Sequence, residues 1–145
     1  MDFRVSVVLP AGGNGVRMRH SVPKQFCLIE GRSVLAYTIE CFERIAWVES
    51  IIVAVATEHV AATHDIIAAE GFVKTKVTVG GDSRHRSIRS GIDALRHDPP
   101  DVVVVHDAVR PILHEKIVRD VAIAANKHGV STHILISMGG GDRIR

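Results

Sequence analysis

The segment "VSVVLPAGGNGVRM", residues 5–18, decides the fold of this chain because a strand-length apolar run leads directly into a glycine-rich loop. The valine-rich run favours an extended strand. Glycines that follow such a strand either form a tight turn into a helix or let backbone amides approach a phosphate group. Both interpretations place the segment at the first strand and loop of an α/β fold.

The overall composition indicates one globular domain. The chain has 145 residues, of which 46% are hydrophobic and 23% charged, and this balance excludes a disordered tail. The net charge is only +2 and the 18 Lys and Arg residues are dispersed, which argues against a nucleic-acid surface or a polybasic membrane anchor. We therefore expect small-molecule partners, no nucleic acid and no membrane.

The cysteines and the N-terminal residues favour a cytosolic location. Cys27 and Cys41 stand in apolar stretches without metal-ligand or redox spacing, so we expect buried free thiols and a reducing compartment. The first strand begins at Val5, which leaves no room for a targeting peptide, and no apolar stretch has the length of a membrane span.

Further apolar runs of strand length alternate with segments of helical periodicity. These runs are "IIVAVA" at 51–56, "VKTKVTV" at 73–79, "DVVVV" at 101–105 and "THILIS" at 132–137. The runs that begin at Ile51 and Val102 are rich in β-branched residues, as in strands covered on both faces of a parallel sheet. The pattern predicts one α/β domain over residues 1–145, with a Rossmann-like open, mostly parallel sheet and helices on both faces.

Capping residues mark the predicted helices. Ser33 is expected to begin one helix, and either Asp82 or Ser83 another. Gly71 and Gly129 are expected to end two others, because glycine adopts the left-handed conformation that closes many helices.

In an open parallel sheet, ligands bind beyond the carboxyl ends of the strands. This rule selects four loops, at residues 10–24, 57–59, 80–87 and 106–111. The first loop is not a dinucleotide fingerprint, because Met18 stands where the third glycine belongs, and no Lys-Ser or Lys-Thr pair marks a P-loop. It instead combines small residues with two cations, which suits a triphosphate. These residues are Ala11, Gly12, Gly13, Gly15, Arg17 and Lys24.

The loop "VGGDSRHRS", residues 79–87, offers groups for a base or a ribose. Its glycines can let the backbone come close to a ligand, and a carboxylate and a hydroxyl stand at the start of the following helix. These residues are Gly80, Gly81, Asp82 and Ser87. We interpret the basic residues of the same segment as a solvated face, and they are Arg84, His85, Arg86 and Arg89.

The loop in "VVVVHDAVRP", residues 102–111, places Asp107 directly after a buried strand. Its carboxylate can hold Mg²⁺ together with phosphate oxygens, or it can pair with Arg110 and structure the turn before Pro111. We expect His106 to be a partly buried, hydrogen-bonded histidine rather than an acid or base. The histidines show no zinc-ligand spacing.

Together, "LPAGGNGVRM", "PKQF", "GGDSRHRS" and "VVVVHDAVRP" resemble, in this order, the cytidylyltransferase family of 2-C-methyl-D-erythritol 4-phosphate cytidylyltransferases and their animal relatives, which make CDP-ribitol. The resemblance implies transfer of CMP from CTP to a polyol phosphate with Mg²⁺ as cofactor. It assigns Arg17 and Lys24 to stabilising the transition-state charge and Asp107 to the metal. The positions it assigns to CTP are Ala11, Gly12, Gly13, Gly15, Gly81, Asp82, Ser87, Ala108 and Arg110.

The segments 23–55 and 83–88 resemble the animal branch more than the bacterial one, which favours D-ribitol 5-phosphate as the acceptor. The alternatives are 2-C-methyl-D-erythritol 4-phosphate, a catalytically inert nucleotide-binding module, or a nucleotidyltransferase with another nucleotide. The resemblance also implies a homodimer formed through an arm that follows the fifth strand. This sequence has no counterpart of that arm, so we expect the domain to be incomplete after about residue 130, and the homodimer rests on the resemblance alone.

Overall fold

The computed structural model describes residues 1–12 and 22–128, and the backbone of residues 133–136. The strands in chain order are β1 (Val5–Ala11), β2 (Leu28–Ile29), β3 (Arg32–Ser33), β4 (Val48–Val55), β5 (Thr75–Val79), β6 (Val102–His106) and β7 (His133–Ile136). The α-helices of the described part are α1 (Val34–Glu43), α2 (Val60–Glu70), α3 (Arg84–Asp93) and α4 (Glu115–His128).

Five strands form one sheet in the order β5-β4-β1-β6-β7, and every neighbouring pair is parallel. All five correspond to the apolar runs of the sequence, which confirms the predicted open parallel sheet. Two strands begin two or more residues away from the starts of their apolar runs. β4 already begins at Val48, which pairs with Val5, while β5 begins only at Thr75 because Val73 is 89% exposed and precedes the ladder.

Helices cover both faces of the sheet, as predicted. Val7 of β1 belongs to a core cluster with Phe42 of α1 and Val118 of α4, whereas the adjacent Val8 belongs to a second cluster under α3. This split follows from the alternation of side chains along a strand. A Cβ atom at Gly91 would overlap the side chain of Val8, so glycine lets α3 lie close to β1.

Local caps define the helix ends. The Ser33 hydroxyl accepts a hydrogen bond from the Ala36 amide at 3.1 Å, and Gly71 ends α2 with a φ of +70°. Of the two candidates at the start of α3, Ser83 is the cap. Gly129, predicted to end α4, lies outside the described residues. None of the described helices combines the length and the apolar character that a membrane crossing needs.

The short hairpin of β2 and β3 is fastened to two helices by Arg32. Its guanidinium donates hydrogen bonds to Glu40 of α1 and, at 3.0 and 2.7 Å, to Glu70 of α2. It also lies 4.5 Å from the centre of the Tyr37 ring. The sequence patterns did not predict this hairpin.

At the amino edge of the sheet, Arg4 joins three segments. Its side chain lies 2.9 Å from Glu49 of β4 and 2.8 Å from Asp98, and its amide donates to Asp101 at 2.7 Å. These contacts tie the start of β1 to β4 and to the loop that leads into β6.

Candidate functional site

The predicted ligand loops open at one edge of the sheet. Ala11 pairs with Val55, and Val55 with Val79, so β1, β4 and β5 end side by side. On the other side of β1, Val8 pairs with Val105, which places the end of β6 at the same edge. The strand ends therefore bring together residues that are far apart in the chain, as the position of ligand sites in such sheets requires.

Ser87 is the centre of a tightly packed cluster at this edge. Its hydroxyl is buried and donates to the Gly81 carbonyl at 3.3 Å. A Cβ atom at Gly12 would lie 2.5 Å from the Ser87 Oγ atom, and one at Gly80 would lie 2.8 Å from it. The structure thus brings Gly12, Gly81 and Ser87 into one place, where glycine is required by packing. Their contacts with a nucleotide stay a prediction.

Asp82 lies beside this cluster, at the start of α3. Its carboxylate is largely exposed and lies 3.2 Å from Nη1 of Arg86, four residues later. An exposed carboxylate next to a glycine loop is a suitable acceptor for ribose hydroxyls or base amino groups. The geometry is compatible with the role that the sequence assigns to Asp82.

Asp107 follows β6 and uses its two carboxylate oxygens differently. Its Oδ1 atom accepts a hydrogen bond from the Val109 amide at 3.1 Å, which forms the turn. Its Oδ2 atom lies 3.6 Å from Nε of Arg110 and 3.7 Å from Nη1 of Arg84. The side chain is 25% exposed, so one oxygen builds the loop and the other faces two guanidinium groups.

The pairing of Asp107 with Arg110 was one of the two alternatives that the sequence left open, whereas its contact with Arg84 was not expected. We had interpreted Arg84 as part of a solvated face, because helical periodicity alone does not tell which loop lies in front of the first turn of α3. The position of β6 two strands from β4 and next to β1 supplies that information.

The segment after Asp107 is held by α1. Ala108 is buried in the main core, and its carbonyl accepts a hydrogen bond from the Thr38 hydroxyl at 2.9 Å. The Cys41 thiol contacts the Pro111 carbonyl at 3.2 Å. Burial raises the pKa of this thiol. Cys27 and Cys41 are both free, as predicted, and only partly buried.

The "PKQF" motif is fastened to the end of β1. Lys24 begins a short 3₁₀ helix, Lys24–Phe26, and the buried Gln25 donates to the Ala11 carbonyl at 2.7 Å. This bond keeps the exposed Lys24 side chain on the loop next to β1. The other predicted members of the loop, Gly13, Gly15 and Arg17, lie outside the described residues.

His106 is fully buried, but the hydrogen bond that we expected for it is not found. Neither ring nitrogen has a hydrogen-bond partner within the described parts of the chain. The ring instead meets the Phe42 ring edge-on, with centroids 5.1 Å apart, because it lies on the face of the sheet that α1 covers. Burial lowers the pKa of His106, and the backbone and carboxylate of Asp107 partly oppose that shift.

The donors at this edge suit a shared metal ion rather than a metal held by protein alone. The described residues contain no group of three His, Cys, Asp or Glu side chains that could hold a metal ion. Mg²⁺ commonly takes one or two carboxylates and completes its shell with phosphate oxygens and water. Asp107 fits that pattern as a single carboxylate ligand.

The comparison with known proteins agrees with the fold and identifies the family. The family model "IspD: 2-C-methyl-D-erythritol 4-phosphate cytidylyltransferase" matches residues 5–138. The chain belongs to the IspD family. This finding confirms the family predicted from the four loop motifs.

Named relatives of this IspD-family chain include both branches. It is 42% identical over 136 residues to the D-ribitol-5-phosphate cytidylyltransferase of Xenopus tropicalis. The matched region covers 88% of this chain and 33% of the relative. It is 37% identical over 135 residues to the 2-C-methyl-D-erythritol 4-phosphate cytidylyltransferase of Acidobacterium capsulatum. Here the matched region covers 89% of this chain and 56% of the relative.

A solved structure gives the same picture for the fold. The crystal structure of 4-diphosphocytidyl-2C-methyl-D-erythritol synthase from Anaerococcus prevotii matches with a TM-score of 0.70 and 26% identity, covering 86% of this chain and 51% of that chain. The IspD-family chain therefore spans about a third of the length of the Xenopus relative and about half of the other two.

Proposed function

We propose that this chain binds CTP with Mg²⁺ at the carboxyl edge of its sheet and transfers CMP to a polyol phosphate, with release of pyrophosphate. One observation carries the proposal. The cluster of Gly12, Gly81 and Ser87 opens at the same edge as Asp107 with its two neighbouring guanidinium groups, in a chain of the IspD family.

The cytidine would lie over the loop after β5, where Gly81 and Ser87 bring two backbones together and Asp82 offers an exposed acceptor. The triphosphate would then extend along the end of β1 toward Asp107. We assign its phosphates to the small residues of the first loop, which are Ala11, Gly12, Gly13 and Gly15.

Cations would supply most of the catalysis. An oxygen of the acceptor phosphate attacks the α-phosphorus of CTP, the bond to the β-phosphate breaks, and pyrophosphate leaves. Both reactants are already ionised, so the step depends on charge neutralisation and alignment rather than on proton transfer. We assign these roles to Arg17 and Lys24, with Arg110 beside Asp107. Mg²⁺ on Asp107 would neutralise the phosphate charge.

For the acceptor we propose D-ribitol 5-phosphate. The support is the resemblance of segments 23–55 and 83–88 to the animal branch, together with the Xenopus relative, which is a D-ribitol-5-phosphate cytidylyltransferase by name. The Acidobacterium relative keeps 2-C-methyl-D-erythritol 4-phosphate as the second candidate. The cytosolic location stays a prediction from the sequence, and a homodimer stays an implication of the family resemblance.

Calorimetry tests the binding half of the proposal. We expect the purified chain to bind CTP only when Mg²⁺ is present, and EDTA to abolish the binding. Lys24→Ala and Asp107→Ala should each weaken it at least about 10-fold. Lys116→Ala, which removes an exposed ion pair on α4, is the control and should bind as the wild type does. A folded wild type that does not bind CTP would refute the proposal.

A pyrophosphate-release assay tests the chemical half. The chain is supplied with CTP, Mg²⁺ and either D-ribitol 5-phosphate or 2-C-methyl-D-erythritol 4-phosphate. Release with the first acceptor supports our proposal, and release with the second alone assigns the chain to the other branch. CTP binding without release from either acceptor would make it an inert nucleotide-binding module.

A further inference from the structure

The hydroxyl of Thr38 connects helix α1 to the loop that carries Asp107. The side chain is fully buried, and Oγ1 lies 2.9 Å from the Ala108 carbonyl, 70 residues away in the chain. The same hydroxyl lies 3.2 Å from the Val34 carbonyl in the preceding turn of α1. A hydroxyl has one proton to donate, and the shorter contact is the one to Ala108.

A second donor stands one helical turn later. Cys41 follows Thr38 by three residues on the same side of α1 and contacts the Pro111 carbonyl at 3.2 Å. The two donors therefore hold both ends of the segment from Ala108 to Pro111. Asp107 precedes this segment directly, and its carbonyl accepts the Arg110 amide at 3.2 Å.

We propose that Thr38 is a positioning residue for Asp107: its hydroxyl fixes the loop so that the Oδ2 oxygen, which lies beside Arg84 and Arg110, is presented at the carboxyl ends of the strands. The turn itself uses the Oδ1 atom, which accepts the Val109 amide. Any shift of the Ala108 carbonyl moves this turn and with it the Oδ2 atom. Groups that orient a metal ligand without touching the metal commonly change metal affinity by 10-fold or more.

The inference rests on the proposed function, because it concerns the carboxylate assigned to Mg²⁺. If Thr38 had only a structural role, its replacement would lower the stability of the fold without a specific loss of affinity for CTP and Mg²⁺. The loop can also be followed without any ligand, through the exchange of the Val109 and Arg110 amide protons, which both bond to Asp107. Exchange reports on local opening of these bonds.

The experiment compares Thr38→Val, which keeps the shape but removes the donor, with Thr38→Ser, which keeps the donor. Thr38→Ala removes the same hydroxyl with a different change of shape. The matched control is Thr63→Val: Thr63 is also fully buried, and its hydroxyl donates at 2.8 Å to the carbonyl of His59, the residue that precedes its own helix α2. Amide exchange is measured by NMR and Mg²⁺-dependent CTP binding by calorimetry.

We expect Thr38→Val and Thr38→Ala to speed exchange of the two amides and to weaken Mg²⁺-dependent CTP binding about 10-fold. Thr38→Ser and Thr63→Val should stay close to the wild type in both measurements. If a folded Thr38→Val or Thr38→Ala variant behaves like a wild type that binds CTP, the inference is wrong and the proposed function stands. The inference also fails if Thr38→Ser is as impaired as Thr38→Val, or if Thr63→Val is equally impaired. A wild type that does not bind CTP refutes both.

Discussion

Arg84 and Asp107 face each other across two loops, with Nη1 of Arg84 lying 3.7 Å from Oδ2 of Asp107. Arg110, three residues after Asp107, also approaches this oxygen, and its Nε atom lies 3.6 Å away. Two guanidinium groups beside one partly exposed carboxylate create a local excess of positive charge. Such a place attracts phosphate groups, and a metal ion that accompanies them adds to this attraction.

Replacing Arg84 by alanine should therefore weaken CTP binding. We expect a loss of roughly 10-fold, the order of one hydrogen bond to a charged group. Calorimetry at two salt concentrations measures it, and the wild type should lose more affinity than the variant at high salt. Arg89→Ala is the control, because Arg89 is exposed on another side of α3. Equal affinities of Arg84→Ala and wild type would show that Arg84 is only a surface residue.

Replacing Gly12 by alanine should strain the cluster around Ser87. The new methyl group would lie 2.5 Å from the Ser87 Oγ atom, so we expect a loss of about 1–3 kcal/mol in the free energy of unfolding. Adding Ser87→Ala should recover part of this loss, because it removes the clashing oxygen. Urea unfolding of the two single variants and the double variant measures the coupling.

Gly71→Ala, alone and combined with Ser87→Ala, provides the comparison for this double-mutant cycle. Gly71 needs glycine for its φ of +70°, and no atom lies within 4 Å of a Cβ built there. Its loss of stability should add to that of Ser87→Ala without any recovery. If the losses in the free energy of unfolding caused by Gly12→Ala and Ser87→Ala were also strictly additive, the packing explanation would be wrong.

Glu40 should make stability depend on pH in the acid range. The hydrogen bond from Arg32, helped by its charge, holds the pKa of Glu40 below its ordinary 4.5. Its contribution is thus complete above pH 4.5 and is lost as the pH falls through the lower folded-state pKa. We expect Glu40→Gln to cost about 1 kcal/mol at pH 7, and the difference from wild type to disappear in acid.

Urea unfolding at a series of pH values between 7 and the acid limit of folding follows this difference. Asp120→Asn breaks an exposed pair on α4 and should change stability little at any pH. A Glu40→Gln deficit that stays constant down to acid pH would show that the ion pair is not its source.

Replacing His106 by leucine should leave the protein as stable as before or more stable. The ring is buried against Phe42, and within the described residues both of its nitrogens lack a hydrogen-bond partner. Removing them should gain about 1 kcal/mol, measured by urea unfolding at pH 7.5. A loss of several kcal/mol would instead indicate a partner for the ring beyond the described part of the chain.

Local sequence patterns predicted the sheet well because strands and helix caps depend on neighbouring residues. Apolar runs marked all five strands, and Ser33 and Gly71 marked helix ends, since each of these signals acts within a few positions of the chain. The start of β5 was misjudged at Val73, because an apolar residue can equally well stand in solvent before the ladder begins.

The site was predicted less completely, since its contacts are distant in the chain. The glycine loops and Asp107 could be found because strand ends converge in a parallel sheet. Thr38 could not, because a threonine in a helix gives no sign that its hydroxyl reaches a carbonyl 70 residues away. The missing hydrogen bond of His106 could have been anticipated. Because side chains alternate along a strand, His106 shares with Val104 the sheet face that packs against α1 and α4.

Arg4 and its acidic partners lie at the opposite end of the strands from the nucleotide edge. The features that hold the sheet together there share no residue with the features that would recognise a ligand. The two ends can consequently be altered independently. Engineering for thermal stability should begin around Arg4, where improved charge pairing would leave the loops at the carboxyl ends of the strands untouched.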